Sequence, residues 1–219
     1  MGYDYNKNIF LNIDCMEYMK NISNKYFDLA IVDPPYGIGA GNINFKNRTS
    51  NADIGYKLKD WDTKIPDKNY FNELFRISKN QIIWGGNYFI EYLYNTKNFI
   101  FWDKKTGNNS YADGELAWTS FNKPVKKYTE LWLGANARNK NYKRIHPTEK
   151  SIKMYKWVLE NYAEKGNLIF DSHVGSGSLL IACEILEYYY VGCEIDNEYY
   201  TKAKERIEND RYNLFNLKD

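Results

Sequence analysis

The sequence predicts an α/β fold built on a parallel-rich sheet. Three observations carry this expectation. Short apolar runs such as Phe27–Asp33 and Asn167–Phe170 read as buried strands. Helical patterns fall between such runs, clearest where Ile152, Tyr155, Val158, Leu159 and Tyr162 share one face at 3.6-residue spacing. With 219 residues, 43% of them hydrophobic, the chain can bury one core, and a single domain over 1–219 is expected.

In chain order, Ile9–Ile13 reads as a strand and Cys15–Ile22 as a helix. Phe27–Asp33 is a strand stopped by a carboxylate and the double proline Pro34-Pro35. Phe71, Leu74, Phe75 and Ile77 place a helix over Asn69–Ser78. Gln81–Trp84 and Asn98–Trp102 read as strands with a helix from Tyr88 to Tyr94 between them. Leu116–Phe121 and Leu131–Leu133 are further strand candidates. A helix over about 149–164, a strand at Asn167–Phe170, a helix at about 178–187, a strand at Tyr190–Glu194 and a helix at about 197–209 complete the order. Two stretches, 37–65 and 103–148, are polar and rich in Gly, Asn and Lys. Loops this long inside a compact domain serve as lids or binding elements.

The segment Phe170-Asp171-Ser172-His173-Val174-Gly175-Ser176-Gly177-Ser178 is a strand end, a glycine turn and a helix start. Such a turn brings backbone close to a ligand at the carboxyl end of a strand. A dinucleotide fingerprint would need a third glycine where Leu180 stands, and a phosphate loop would need Gly-Lys-Ser/Thr where Gly177-Ser178-Leu179 stands. Both patterns fail. Glu194 ends the next strand, where a carboxylate can accept both hydroxyls of a ribose. A nucleoside ligand without pyrophosphate is the consistent reading, and S-adenosylmethionine fits it. A purely structural glycine turn is the alternative.

Asp33-Pro34-Pro35-Tyr36 closes an earlier strand. Two prolines make a rigid edge, and the flanking Asp33 and Tyr36 suit an exocyclic amine on a base ring. Such an amine is a weak nucleophile because its lone pair is delocalised. A carboxylate at Asp33 and the Pro34 carbonyl, each accepting an N–H, would favour a pyramidal nitrogen, while Tyr36 offers a stacking face. Attack on a sulfonium methyl then needs proximity and alignment, with no metal. The alternative is a proline-rigid turn.

With these two strings the chain resembles the amino-methylating DNA methyltransferases of permuted motif order, the beta group. The resemblance implies a Rossmann-like, S-adenosylmethionine-dependent fold with a mixed, mostly parallel sheet of about seven strands and helices on both faces. It implies a catalytic tetrapeptide at Asp33, Pro34, Pro35 and Tyr36, and a donor loop with Asp171, Gly175, Ser176, Gly177 and Ser178 in place. Glu194 matches the ribose acid. Asp14, in Asn12-Ile13-Asp14-Cys15, sits where such enzymes contact the donor's adenine. His146-Pro147-Thr148-Glu149-Lys150-Ser151 is similar to the family's His-Pro-Thr-Gln-Lys-Pro run, which places Thr148 and Lys150 at the donor's amino-acid end. Trp84–Phe89, Trp102-Asp103-Lys104 and Glu115–Trp118 look like a subgroup found in phages and mobile elements. Ser172-His173, Asn12-Ile13 and Ser151 depart from the family pattern. His146 and His173 are expected in loop-structural roles, since the chemistry needs no imidazole.

Asp in the first tetrapeptide position leans by family habit towards adenine N6. Cytosine N4, RNA, a protein glutamine, or a non-catalytic regulatory remnant are the alternatives. The formal charge is +2, yet residues 121–150 carry +6, so the remainder sums to −4. That stretch suits double-stranded DNA, with Lys123, Lys126, Lys127, Arg138, Lys140, Lys143 and Arg144 on phosphates. The loops 37–65 and 103–148 are the expected lid and target-recognition insertions. Three cysteines without a Cys-x-x-Cys pair suggest burial in a reducing cytoplasm rather than a disulfide frame or metal site. No apolar run approaches a membrane span. A homodimer is one expected assembly.

Overall fold

A computed structural model of the chain describes residue 4 and residues 7–42, 59–107, 112–132 and 145–216. Eight strands form one sheet among the described residues: β1 (Ile9–Asn12), β2 (Phe27–Val32), β3 (Ser78–Trp84), β4 (Phe99–Asp103), β5 (Gly114–Thr119), β6 (Lys126–Thr129), β7 (Leu168–Asp171) and β8 (Tyr189–Glu194). Five α-helices accompany them: α1 (Cys15–Met19), α2 (Lys68–Ile77), α3 (Ile152–Tyr162), α4 (Ser178–Leu186) and α5 (Asn197–Asn216). The sheet order is β1-β8-β7-β2-β3-β5-β4-β6. Every neighbouring pair is parallel except β3 with β5 and β4 with β5. β5 alone therefore runs against the other seven, and the expected mixed, mostly parallel Rossmann-like sheet holds with one strand more than expected.

Alternation along the strands builds two cores. Leu29 and Ile31 of β2, with Trp84 and Trp102, pack towards α3, α4 and α5. Ala30 and Val32, with Phe170 and Val191, pack towards α1 and α2. Helices on both faces follow from this alternation. α2 presents Tyr70, Phe71, Leu74 and Ile77 to its core, and Asp67 caps it by accepting the Tyr70 amide at 3.1 Å. Ser151, where the family has a proline, caps α3 by accepting the Met154 amide at 3.4 Å. Asn12, another departure, ties β1 to the end of β8 through the Glu194 carbonyl at 2.7 Å.

Three element expectations are corrected. The segment 88–94 is not a helix but two short 3₁₀ turns, Gly86–Tyr88 and Ile90–Tyr92. They bury Phe89 against Phe71 while leaving Tyr88 and Ile90 exposed, which a continuous amphipathic helix would not do. Leu131 and Trp132 lie outside any strand, and Leu133 is outside the described residues. The strand that precedes α3 is instead Lys126–Thr129, added parallel to β4, with Tyr128 packed on Trp157 of α3. The stretch 103–148 is thus not one long loop, since it contributes β5 and β6 to the sheet.

Candidate active site

From β2 the chain crosses by α2 to β3 on one side, and from β7 it crosses by α4 to β8 on the other. The direction of winding reverses between β2 and β7, which are hydrogen-bonded neighbours. Ligands of open α/β sheets bind at such a switch point, beyond the carboxyl ends of the strands. Asp33, Asp171 and Glu194 close or follow β2, β7 and β8 at this edge. A single cavity is lined by Asp33, Thr148, Lys150, Gly175, Ser176 and Glu194, so residues of both sequence strings meet in one space. Pro35 and Ser178 line it too, whereas Asp14, Pro34, Tyr36, Asp171 and Gly177 do not.

The turn after β7 needs left-handed backbone at Gly175 (φ 55°) and Gly177 (φ 80°). A Cβ at Gly177 would also meet Ile207 of α5 at 3.2 Å. Glu194 is buried, its Oε2 accepting the Gly175 amide and its Oε1 the Asp196 amide, both at 2.9 Å. Burial raises its pKa. Each carboxylate oxygen keeps a second lone pair for a ligand hydroxyl. Ser176 and Ser178 bond each other at 3.1 Å, and Arg206 donates to the Ser176 carbonyl at 2.8 Å. Asp171 accepts the His173 amide at 3.1 Å, and burial pushes its carboxyl up to about 8. Asp14 caps α1, accepting the Met16 amide at 2.6 Å.

An ionic row surrounds Asp33. Lys150 Nζ lies 2.5 Å from Asp33 Oδ2 and 3.0 Å from Glu115 Oε2, and Lys104 pairs with the other Glu115 oxygen. The Tyr36 hydroxyl donates to Asp33 Oδ1 at 2.6 Å. Burial, together with the charge of Glu115, raises the Asp33 pKa against the pull of Lys150. Glu115 is held at about 2 because the Lys150 and Lys104 ammoniums outweigh its burial. Gly85 (φ 70°) lets Tyr36 pack against its backbone, since a Cβ there would stand 2.2 Å from the ring. Tyr88 stacks on Tyr36 at 5.0 Å.

A family model described as DNA methylase, N6_N4_Mtase, matches residues 68–205, which is more than half of the chain. The chain belongs to this DNA methylase family. The match includes the Gly175–Gly177 turn and Glu194 but begins after Asp33–Tyr36. The chain is 25% identical to the Type II methyltransferase M.HpaI of Haemophilus parainfluenzae over 234 aligned residues, covering 88% of this chain and 71% of that one. Its fold is similar to the crystal structure of an M1.HpyAVI–SAM complex (TM-score 0.57, 20% identity, 90% of this chain and 98% of that one). It is also similar to the cytosine-N4-specific PvuII DNA methyltransferase (TM-score 0.58, 12% identity, 94% and 92%).

In this DNA methylase Lys150, expected at the donor's amino-acid end, lines the cavity with Gly175 and Glu194, and its ammonium is bonded to Asp33. Thr148 bonds His146 Nδ1 at 3.1 Å. His146 packs tilted against Trp61 and edge-on to Tyr199, and His173 packs edge-on to Tyr70 and bonds Ser172 Oγ at 2.8 Å. Burial pushes His173 down to about 4, so it is neutral near pH 7. Among the DNA candidates, Lys123 does not join the site. It lies before β6, at the opposite sheet edge, donating to the Asn161 carbonyl at 3.0 Å over the rings of Phe121 and Tyr162. Lys126 is exposed on the edge strand, and Lys127 pairs with Asp103 at 2.9 Å. Arg138, Lys140, Lys143 and Arg144 lie outside the described residues.

Sequence reasoning assigned no role to Glu115, Lys104, Asp62 or Trp61. Glu115 is the second residue of β5, and only the reversal of that strand brings it to the ligand edge. Asp62 is buried and accepts the Gly37 and Ala40 amides at 2.8 and 2.7 Å, joining the two ends of the 37–65 stretch. Lys59, from the same end, pairs with Asp196 at 2.6 Å beside Glu194. Trp61 reaches the cavity and packs tilted against His146, ring centroids 5.0 Å apart.

Proposed function

We propose that this protein is a site-specific DNA methyltransferase that moves methyl from S-adenosylmethionine to the N6 amine of an adenine flipped out of the duplex. The observation that carries the reading is the shared cavity, which runs from Asp33 to Gly175 and Glu194. The donor fits the residues present: Glu194 has spare lone pairs for ribose hydroxyls, and the bare glycine turn admits a ligand at close approach. Ile195, 67% exposed beside Glu194, offers an apolar face for an adenine ring. When bound, the donor supplies a methyl group on an electrophilic sulfonium.

The protein's part is binding and orientation. Asp33 and the Pro34 carbonyl accept the two amine N–H bonds and free the nitrogen lone pair. Both Asp33 oxygens already hold a partner, Tyr36 on one and Lys150 on the other, and each has a second lone pair for the amine. Tyr36 supplies the stacking face for the base. The transferred methyl leaves an extra proton on nitrogen, and Asp33, with its raised affinity for protons, is placed to take it. The 37–42 and 59–65 segments, joined through Asp62, cover the cavity as a lid. Basic side chains of 121–150 hold DNA phosphates, with base readout from the same region.

Adenine rests on the Asp at the head of the tetrapeptide. Expression in a methylation-free host, with base-resolved detection of modified positions in the genomic DNA, tests the whole reading. N6-methyladenine in one sequence context is expected. Methylated cytosine without methylated adenine would replace the target base, and unmodified DNA would defeat the function.

A further inference from the structure

Lys150 has three N–H donors, and three acceptors surround it: Asp33 Oδ2 at 2.5 Å, Glu115 Oε2 at 3.0 Å and the Tyr36 hydroxyl at 3.2 Å. Its side chain is only 4% exposed, so water cannot replace a lost partner cheaply. Glu115 gives its second oxygen to Lys104, whose ammonium also lies 4.9 Å from the Trp102 ring. Asp33, Lys150, Glu115 and Lys104 thus form a row of alternating charge, formally neutral, that starts at the amine acceptor and runs outward across β5 and β4.

We propose that Glu115 and Lys104 are positioning residues for the methyl transfer, setting through Lys150 how strongly Asp33 can accept the amine. The inference rests on the reading of Asp33 as that acceptor. Lys150 is shared between two carboxylates. Without the Glu115 charge it would turn wholly to Asp33 and make it a poorer acceptor. Without the Lys104 charge, Glu115 would lean on Lys150 alone and loosen its grip on Asp33. The other groups facing Asp33 do not mimic this. Tyr36, Tyr70 and Tyr155 are pushed up by burial and stay neutral, and Asp171, which feels the Asp33 charge, is the same in the parent and in both variants.

The test is the pH dependence of single-turnover methyl transfer, using the full chain, tritium-labelled S-adenosylmethionine and DNA from a methylation-free host. The acid limb reports protonation of Asp33. Loss of a nearby negative charge lowers a carboxyl pKa, and loss of a nearby positive charge raises it. Glu115→Gln is therefore expected to move the acid limb down by about one pH unit, with a slower plateau. Lys104→Met is expected to move it up. Donor binding by each variant serves as the folding control. If Glu115→Gln does not fold, Lys104→Met decides alone, because an unmoved limb overturns the proposal. Loss of rate in both variants with unmoved limbs, or limbs moving the same way, also overturns it and leaves a structural role. An inactive parent chain overturns both this inference and the function on which it rests.

Discussion

Ala30 of β2 lies opposite Phe170 of β7 in parallel register. This pairing joins segments 140 positions apart in the chain and sets the strand ends leading to Asp33 and to Asp171 side by side. The winding of the sheet reverses between these two strands, so Asp33 and the Gly175–Ser178 turn face one space.

Asp33→Ala should abolish methyl transfer while leaving donor binding intact. Preorganised acceptors of this kind contribute about 10²–10³ in rate, so the remaining transfer should fall at least that far. Radiolabel incorporation measures the first effect and calorimetric titration with S-adenosylmethionine the second. Full activity in the variant would remove Asp33 from the mechanism.

Asp62→Ala should open the lid from its hinge. It strands two backbone amides that the Asp62 carboxylate now satisfies. Unpaired buried donors cost about 1–3 kcal/mol each, although exposure to water on opening limits the loss. Faster proteolysis within 37–65 and a raised KM for donor are expected. In the parent chain, donor and DNA together should slow that proteolysis, and an unchanged cleavage rate would argue against a lid.

Stability should fall as pH rises from about 6.5 to about 8. Asp171 is raised by burial to about 8, so the folded state holds its proton where the unfolded chain, with the ordinary value of 3.8, has lost it. Stability therefore declines with pH between those values. His173 works in the opposite sense: burial holds it at about 4 against 6.5 unfolded, so its contribution rises with pH over that interval. The two slopes offset each other up to about 6.5, and of these two only the Asp171 slope continues from there to about 8. At about 1.4 kcal/mol per unit, the decline is about 2 kcal/mol. Denaturant midpoints of the donor-free protein across this range check it, and Asp171→Asn should flatten the profile.

Replacing Lys126, Lys127 and Arg144 by Gln should weaken binding to all DNA sequences alike and flatten its salt dependence. Each lost phosphate contact removes about 0.9 from the log–log slope. Lys127 will contribute least if its pairing with Asp103 persists on DNA. Filter binding at several salt concentrations measures the slope, and an unchanged slope would move the DNA face elsewhere.

The central strands were legible because each is a continuous apolar run, the pattern of a strand buried on both faces, as in Leu29–Val32 and Ile169–Phe170. The turn after β7 was legible because glycine is the residue that most readily adopts the left-handed backbone of Gly175 and Gly177. β6 was not, since Lys126–Thr129 is an exposed edge strand whose partner, not its composition, makes it a strand. The 3₁₀ turns around Phe89 escaped for a similar reason: burial of one ring against Phe71 and Tyr36 overrides a weak helical period.

By itself, the sequence determined that Asp33–Tyr36 and Asp171–Ser178 stand at strand ends, because hydrophobic runs, prolines and glycines act locally. Tertiary structure alone decided which strand ends are neighbours and what joins them. It set Lys150 against Asp33, and through the reversed direction of β5 it brought Glu115 into the same row. A buried ammonium must find carboxylates wherever the fold offers them, since leaving it unpaired costs several kcal/mol, about 3–5. Local patterns carry no record of that choice.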